Sequence, residues 1–430
     1  MPRLVPLVAL LVLATLATEL RAAPASSARP LDSQIDARAR ALRPKLVELR
    51  RDFHRHPELS NREERTGRVI AERLRALGLE VRTNVARHGV VASIRGGKPG
   101  PVIALRADMD ALPIEDQLKT DYRSTVRGVK HACGHDAHMA ILLGVAEVLT
   151  ALRAELPGTV KLIFQPAEES PPVGEEGGAP LMIKEGALDN PRPQAIFGLH
   201  VMPGIPVGEV SLVPGAFMAS VERLQIDVHG KASHGAQPQE GIDAVVAAAA
   251  IVSELQTVRS RRTDPLDPIV VSIGQIHGGN RYNILADEVM LEGTIRTLDE
   301  KTRTRVGGLI KQLAEATAAA HGATATVTIR ENARVTFNDP ALVPSVEQSL
   351  QRVLGKEHVV RGRPQLVGED FSYYQQVIPG VFFHLGVGNR DKGITALNHT
   401  AAFDIDEEGL VLGVRTLATV ALDALAQRAR

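Results

Sequence analysis

The feature that most constrains this chain is an alternation of short apolar segments with helix-like segments in its first half. Residues 90–94, 102–105, 160–164 and 195–199 are rich in Val, Ile, Leu, Phe and Ala, and the helical pattern of residues 139–152 lies between the second and the third. Strands that are apolar along their whole length are buried on both faces, as in sheets covered by helices. The sequence therefore predicts an α/β domain with a central, largely buried sheet.

Two helices are predicted before the first of these strands. Residues 31–53 repeat apolar side chains at helical spacing, which indicates one long helix. Ser60 followed by Glu63 has the spacing of a capping box, which predicts the start of a second helix, and Gly78 suits its end.

A different pattern occupies residues 219–333. Its segments read as strand, helix, strand, strand, helix and strand, in that order: residues 224–228, 242–258, 270–276, 289–295, 302–321 and 325–330. This βαββαβ order is typical of a ferredoxin-like module. The α/β pattern returns after residue 334, with an apolar run at 381–385 and a closing helix at 410–426. Since 430 residues are too many for one ordinary core, we predict a main domain formed by residues 30–218 and 334–430 that carries an insertion.

The N-terminal residues have the pattern of a signal peptide. A basic residue at position 3 precedes an apolar run at 5–17, and small residues follow at positions 22, 23 and 25. The run is short for a bilayer span, although an uncleaved anchor helix is the alternative. We therefore predict a signal peptide in residues 1–25, export to the periplasm or medium, and no stable membrane insertion after cleavage.

Charge and cysteine content narrow the classes of function. The chain has 50 basic and 50 acidic residues, which gives no electrostatic case for binding nucleic acid or an anionic membrane. Cys133 is the only cysteine, whereas exported proteins usually carry cysteines in disulfide pairs. This residue is therefore a buried thiol, a metal ligand or a nucleophile.

Polar side chains follow three of the predicted strands, and in sequence order they are Asp108 and Asp110, Glu168 and Glu169, and His200. In open α/β sheets, binding sites form where the strands reach their carboxyl ends. A hydrophobic core would not place carboxylates and an imidazole at one edge of the sheet. The sequence therefore predicts a functional site there.

The densest polar cluster is His-Ala-Cys-Gly-His-Asp-Ala-His at residues 131–138. A thiolate at Cys133 and an imidazole at His135 could share one cation, with Gly134 allowing the backbone to turn between them. The alternative is a buried structural cysteine beside incidental histidines. The carboxylates at the strand ends favour the metal site, because ligands usually converge from separate segments.

Glu168 and Glu169 are adjacent carboxylates that could have different roles. One could bind a metal while the other moves a proton. The alternative is a solvated acidic turn, which is our interpretation of Glu175 and Glu176.

These motifs together resemble the M20 metallopeptidase family. Within it, the 131–138 cluster, Gln165-Pro-Ala-Glu-Glu169 and Gly198-Leu-His200 are similar to the aminoacylase-like branch of hippurate and indole-acetyl-amino-acid hydrolases. Arg106-Ala-Asp-Met-Asp-Ala-Leu-Pro113 and Gly368-Glu-Asp-Phe371 also match. The resemblance extends from about Leu42 to the C-terminus. It implies a zinc-peptidase-like catalytic domain, with residues 219–333 as a dimerisation domain.

The resemblance also implies a centre of two divalent metal ions, with Zn or Mn as first candidates and Co or Ni as others. Its ligands would be Cys133, His135, Glu169, His200 and His399. Glu168 would be the general base, and Asp110 would contact the ligand residues without binding a metal itself. Asp108 stands where many relatives have a ligand histidine, and we do not count it as a ligand. Without the resemblance, His399 would be interpreted as a surface-loop histidine.

Three residues of the insertion have implied roles. By resemblance, His234 reaches the site of the neighbouring subunit in a homodimer and stabilises the oxyanion, and Asn283 contacts the substrate. Arg296 could bind the substrate carboxylate, since a guanidinium pairs with carboxylate through two hydrogen bonds. A structural salt bridge is an equally open interpretation of Arg296.

The predicted function is metal-dependent hydrolysis of the amide bond in N-acyl amino acids or short peptides with a free carboxylate. A metallo-carboxypeptidase or dipeptidase would use the same site. A non-catalytic exported binding protein is an alternative of another class. A cysteine hydrolase using Cys133 is a further alternative, and it would stay active in the presence of a chelator.

Overall fold

The computed structural model describes residues 30–428, so the signal peptide predicted in residues 1–25 lies outside the described residues. The elements before the insertion are α1 (Pro30–Ala41), α2 (Arg43–Arg55), α3 (Glu64–Ala76), β1 (Glu80–Val85), β2 (Gly89–Arg95), β3 (Lys98–Asp108), α4 (His135–Ala151), β4 (Pro157–Gln165), α5 (Gly178–Lys184), β5 (Ile196–Pro206), β6 (Val210–Leu212) and β7 (Gly215–Met218).

The remaining elements belong to the insertion and to the second part of the main domain. The insertion contains β8 (Ser220–His229), α6 (Ala244–Arg261), β9 (Ile269–Gly278), β10 (Glu288–Thr297), α7 (Glu300–Ala320) and β11 (Thr324–Ala333). The chain then forms β12 (Thr336–Asn338), α8 (Val343–Leu354), β13 (Val359–Arg361), α9 (Phe371–Gln375), β14 (Gly380–Gly388) and α10 (Glu408–Arg428).

The main domain is built on an eight-stranded sheet of order β1-β2-β4-β3-β5-β14-β6-β13. Its four central strands, β4, β3, β5 and β14, are parallel to one another, which brings their carboxyl ends to the same edge. Helices α4 and α10 pack on one face through the main hydrophobic core, and α5 and α9 pack on the other. Every residue of β14 is buried, as expected for a strand covered on both faces.

The insertion forms a separate antiparallel sheet of order β11-β8-β10-β9. Helices α6 and α7 cover one face, where side chains such as Leu224, Ile251 and Ile310 are buried. The predicted fold class is thus confirmed: an α/β domain with a large central sheet carries an inserted βαββαβ module.

Helix α10 is the one helix within residues 30–428 that is long and apolar enough to cross a membrane. Most of its residues are buried against α4, α8 and the central strands. It is therefore a core helix of the main domain.

Two local predictions were wrong. The single helix expected at residues 31–53 is divided at Leu42 into α1 and α2. Pro44 in the first turn of α2 has no amide hydrogen to donate to a preceding turn, so a continuous helix would lose a hydrogen bond there. The capping box of Ser60 and Glu63 is not formed, because the Ser60 hydroxyl donates to the carboxylate of Asp110 at 2.7 Å.

Candidate metal centre

The carboxyl edge of the main sheet places the polar motifs side by side. Asp108 ends β3, His200 lies in β5, and α4 begins at the same edge with His135. Gly134 caps α4 with a φ of 103°, a conformation that other residues adopt only with strain. A Cβ atom at Gly134 would lie 2.2 Å from Cγ2 of Val201, so glycine is also needed for the close approach of α4 to β5.

The five ligands implied by the resemblance lie together at this edge. Cys133 Sγ is 3.2 Å from His200 Nε2 and 3.3 Å from His399 Nε2. His399 Nε2 is 3.0 Å from Glu169 Oε1, which in turn lies 4.0 Å from His135 Nε2. The structure thus brings these donor atoms together from four segments that are distant in sequence.

The environment of these atoms fits a bound cation. His135 Nε2 is buried and has no hydrogen-bond partner within residues 30–428, and Glu169 Oε1 is not hydrogen-bonded although His399 lies beside it. Burial, followed by the charges of Glu169 and Glu168, raises the pKa of the Cys133 thiol well above its ordinary value. A shared cation would stabilise the thiolate, and the combination of thiolate, imidazole and carboxylate suits zinc and other transition metals.

Asp110 organises the residues behind this centre. Its buried carboxylate accepts hydrogen bonds from the amides of Glu168 at 3.1 Å and Glu169 at 3.0 Å. Burial favours its neutral form, but interactions with His135 and Ser60 outweigh this effect and lower the pKa of Asp110. The Asp110 carbonyl also accepts a hydrogen bond from His135 Nδ1 at 2.8 Å, which leaves Nε2 directed at the centre.

Glu63 holds the residue that precedes the carboxylate pair. Its Oε1 accepts a hydrogen bond from the amide of Ala167 at 2.8 Å, and Ala167 has a strained φ of 56°. Burial and the nearby charge of Asp110 raise the pKa of Glu63 to about 8. Two buried carboxyl groups therefore bind three consecutive amides, those of residues 167–169.

Several charged residues of the site were not assigned a role from sequence. Arg106 is buried and forms ion pairs with Asp108 at 2.5 Å, Glu369 at 3.0 Å and Asp370 at 2.8 Å. The second oxygen of Asp108 lies 2.6 Å from His138 Nδ1. Both carboxylate oxygens of Asp108 are thus engaged by neighbouring side chains. The signal for His138 was its spacing of three residues from His135, which places both on one helix face.

Glu168 lies beside the donor atoms, with its Oε2 3.9 Å from Nε2 of His135. Burial, followed by the charges of Glu369, Glu169 and Asp370, raises the pKa of the Glu168 carboxyl well above its ordinary value. A carboxylate whose pKa is raised is a stronger proton acceptor than an ordinary carboxylate, which suits a general base.

A cavity of about 600 Å³ opens from the centre between the main domain and the insertion. Met202, Met218 and Val221 give it an apolar wall, and Arg296 reaches it from β10. Arg296 is partly buried, and its Nε donates to the Thr294 hydroxyl at 3.0 Å. No carboxylate within residues 30–428 forms an ion pair with Arg296, which argues against the structural salt bridge considered above.

His234 and Asn283 are placed elsewhere. They lie together on the insertion, where the Gly235 amide donates to the Asn283 carbonyl at 2.9 Å. His234 is exposed, and neither residue lines the cavity at the metal centre. A single chain therefore does not bring His234 or Asn283 to its own centre.

Comparisons with known proteins agree with this geometry. A sequence model described as peptidase family M20/M25/M40 matches residues 104–423. The chain is 39% identical over 379 residues to thermostable carboxypeptidase 2 of Saccharolobus solfataricus, covering 88% of this chain and 94% of that protein. It is also 39% identical over 388 residues to IAA-amino acid hydrolase ILR1-like 2 of Arabidopsis thaliana, covering 89% and 86%, respectively.

A similar crystal structure is that of the YxeP protein of Bacillus subtilis, described as a dinuclear metal-binding peptidase from the M20 family. The two chains are 36% identical, with a TM-score of 0.78 over 90% of this chain and 99% of the other.

Proposed function

This chain belongs to peptidase family M20/M25/M40, and on that premise we propose that it hydrolyses the amide bond of N-acyl amino acids or short peptides with a free carboxylate. As a member of this family, the chain is a metal-dependent amide hydrolase. The substrate class and the role of each residue are our proposal.

The observation that carries the proposal is the convergence of five donor residues beside a carboxyl group with a raised pKa. The donors are Cys133, His135, Glu169, His200 and His399, and the carboxyl group is Glu168. The cavity next to them contains Arg296, whose guanidinium has no ion-pair partner within residues 30–428. A substrate carboxylate bound at Arg296 would place a nearby amide against the centre.

Two divalent cations, when bound, would lower the pKa of a water molecule and polarise the amide carbonyl. Glu168 then takes the proton of the attacking water and delivers it to the leaving amine. Asp110 and Glu63 keep the backbone of residues 167–169 fixed, so that Glu168 and Glu169 face the same point. Arg106 balances the charges of Asp108, Glu369 and Asp370 behind them.

The site is completed by a second copy of the chain in this proposal. His234 is exposed and lies away from its own centre, which supports a role in the centre of a partner subunit. There it would donate a hydrogen bond to the oxyanion that forms as water attacks. Asn283, its neighbour on the insertion, would contact the same substrate.

Removal of the metal tests the proposed function. We expect a chelator to abolish hydrolysis of N-acyl amino acids, and Zn, Mn or Co to restore it after dialysis. Elemental analysis of the purified protein would identify the native metal. Full activity in a metal-free preparation would contradict the proposal and favour a cysteine hydrolase at Cys133, which Cys133→Ser together with thiol alkylation would detect.

A carboxypeptidase remains the second candidate because a relative of 39% identity carries that name. The two activities differ in the group on the acyl side of the scissile bond, which is a simple acyl group in one case and a peptide in the other. Comparing N-acyl amino acids with unblocked and blocked peptides of the same C-terminal residue distinguishes them. Higher kcat/KM for peptides of three or more residues would favour the carboxypeptidase.

We also propose that the protein is exported, on the basis of the pattern in residues 1–25. Cell fractionation and N-terminal sequencing of the mature protein test this proposal. A cytoplasmic protein with an intact N-terminus would contradict it.

A further inference from the structure

A second cavity lies on the other side of Glu168. Its volume is about 530 Å³, and Glu168, Ser170 and Asn332 border both this cavity and the one at the metal centre. The loop of residues 170–177 lines this cavity, and so do residues of the insertion sheet. A molecule that lies across Glu168 can therefore occupy both cavities.

Two arginines face this second cavity from adjacent strands. Arg223 of β8 and Arg330 of β11 are directly paired in the antiparallel register, and both line the cavity. Like charges directly opposite each other destabilise a sheet unless anions compensate them. Arg223 is paired with Glu292 of β10. Arg330 forms no ion pair or side-chain hydrogen bond with any residue in the range 30–428.

Apart from Glu168, whose nearest cationic group is the His135 ring at 3.9 Å, the carboxylates that line the same cavity already have arginine or lysine partners. Glu175 pairs with Arg62 at 2.6 Å, Glu176 with Lys184 at 2.7 Å, Glu331 with Arg334 at 2.8 Å, and Asp370 with Arg106 at 2.8 Å. Among the cations that line this cavity, Arg330 is therefore the one without a counter-charge within residues 30–428, and Arg223 lies directly beside it. An anion that enters the cavity would meet two guanidinium groups able to donate several hydrogen bonds.

We propose that Arg223 and Arg330 form a subsite for an acyl group that ends in a carboxylate. The inference rests on the proposed function. With the amino-acid carboxylate at Arg296 and the scissile carbonyl beside Glu168, the acyl group points into the second cavity. Pro171, Val173 and Leu181 offer apolar contacts for the methylene chain of such a group. The preferred substrates are thus N-(carboxyacyl) amino acids, which water cleaves to a dicarboxylic acid and a free amino acid.

The experiment compares acyl groups of equal length and different charge on one amino acid. N-succinyl and N-glutaryl substrates carry the terminal anion, and N-butyryl and N-valeryl substrates are the neutral controls. We expect the metal-loaded enzyme to cleave the anionic substrates with kcat/KM about tenfold higher. Arg330→Met should remove this preference, mainly by raising KM, and should leave kcat/KM for the neutral substrates within about twofold.

Two further variants serve as controls. Arg330→Lys keeps the positive charge and should retain most of the preference. Arg262→Met removes an exposed arginine from the end of α6, outside both cavities, and should retain all of it. Circular dichroism of each variant checks that the fold is intact. Binding of glutarate to the wild-type and Arg330→Met proteins, measured by calorimetry, gives a readout independent of turnover.

The outcomes separate the inference from the function on which it rests. Cleavage of the neutral substrates with no preference for anionic ones, or a preference that survives Arg330→Met, would overturn the subsite. Better cleavage of dipeptides with a free amino group, unaffected by Arg330→Met, would overturn it as well. Failure to cleave any N-acyl amino acid or short peptide with a free carboxylate would refute the proposed function, and the inference with it.

Discussion

Glu168 and Glu169 are adjacent in sequence but have different surroundings. Oε1 of Glu169 lies next to two donor imidazoles, 3.0 Å from His399 and 4.0 Å from His135. Oε2 of Glu168 is equally close to His135, at 3.9 Å, but Glu168 also lies near Glu369 and Asp370, whose charges add to burial in raising its pKa. We therefore expect Glu169 to bind metal and Glu168 to transfer protons.

Glu168→Gln should lower kcat by at least about a hundredfold and leave the metal content near normal, because the amide cannot accept a proton. Glu169→Gln should lose metal as well as activity. Metal analysis and turnover of both variants check this prediction. Glu176→Gln is the matched control, since this exposed carboxylate pairs with Lys184 at the surface and with no other cation in residues 30–428. Metal retention by Glu169→Gln, together with metal loss by Glu168→Gln, would reverse the two assignments.

Glu63 gives a prediction on pH. Its carboxyl pKa is raised to about 8 in the folded protein from an ordinary value of 4.5, first by burial and then by Asp110. Its favourable contribution to folding is thus complete below pH 4.5 and declines as the pH rises toward 8. Glu63→Gln keeps the acceptor for the Ala167 amide and cannot ionise. We expect the Tm of this variant to exceed that of the wild type increasingly between pH 5 and pH 8.

Thermal unfolding of both proteins at several pH values provides the measurement for Glu63. Glu64→Gln, at the neighbouring exposed position that begins α3, controls for the loss of a carboxylate as such. A difference in Tm that does not change with pH would show that ionisation of Glu63 does not lower the stability of the folded protein.

The two residues of the supposed capping box show what sequence reasoning missed at this scale. Ser60 and Glu63 have the right spacing for a local motif, but their partners are Asp110 and Ala167, which are 50 and 104 residues away. Such partners are set by tertiary packing, which outweighs a capping preference of about 1 kcal/mol.

At the scale of elements, the contact between the start of α4 and β5 leaves little room for a larger side chain. Gly134 separates the two donors of the 131–138 motif, and its φ is 103°. A methyl group there would meet Val201, the residue after the donor His200, at 2.2 Å. Backbone strain and close packing therefore act at the same position.

Gly134→Ala should weaken metal binding and destabilise the fold by about 1–3 kcal/mol, because Cys133 and His135 must move relative to His200. Metal affinity and denaturant unfolding measure the two effects. Gly128→Ala separates them, since Gly128 has a φ of 72° and a Cβ added there would meet no atom within 4 Å. We expect Gly128→Ala to show the strain alone, with metal affinity unchanged. Normal metal affinity in Gly134→Ala would mean that β5 adjusts to the added methyl group.

Strands were easier to predict than helix ends. β2, β4 and β14 are buried on both faces, so their sequences are continuous apolar runs that differ from any surface segment. The division between α1 and α2 was missed because the apolar spacing continues through Leu42. A proline in the first turn of a helix, such as Pro44, is compatible with a helix start, and the spacing alone does not reveal the break.

For the whole molecule, the sequence predicted the parts of the site better than their arrangement. The chain has 14 histidines, and nothing local distinguishes His399 from an exposed loop residue. Its partners lie far away in sequence, so its assignment came from the resemblance to a family. The βαββαβ module was recognisable because each of its helices and strands has its own periodicity. The position of His234 relative to the centre depends on how the two domains pack, which periodicity does not encode.

The insertion has the features of a surface that is covered in an assembly. Its sheet ends in the edge strand β9, which has unpaired backbone groups along most of its exposed length. Ile276 in β9, and Tyr282 and Ile284 in the segment that follows it, are large side chains exposed to solvent, and Ile284 forms a β-bridge with His234. Pairing of two copies around a twofold axis would bury these side chains and give hydrogen-bond partners to the backbone groups of the edge strand. We therefore predict a homodimer joined through the insertion, with each centre completed by the partner's His234.

Mixing two inactive variants tests this arrangement. His234→Ala and Glu168→Gln should each be nearly inactive alone, because one lacks the oxyanion donor and the other lacks the base. After subunit exchange, half of the dimers are heterodimers, and one centre in each combines an intact Glu168 with an intact His234 from the other chain. Activity should then recover to about a quarter of the wild-type value, as random pairing of twofold dimers requires. Light scattering and differently tagged chains establish that heterodimers have formed. Confirmed heterodimers without recovered activity would place His234 in the centre of its own chain or outside catalysis.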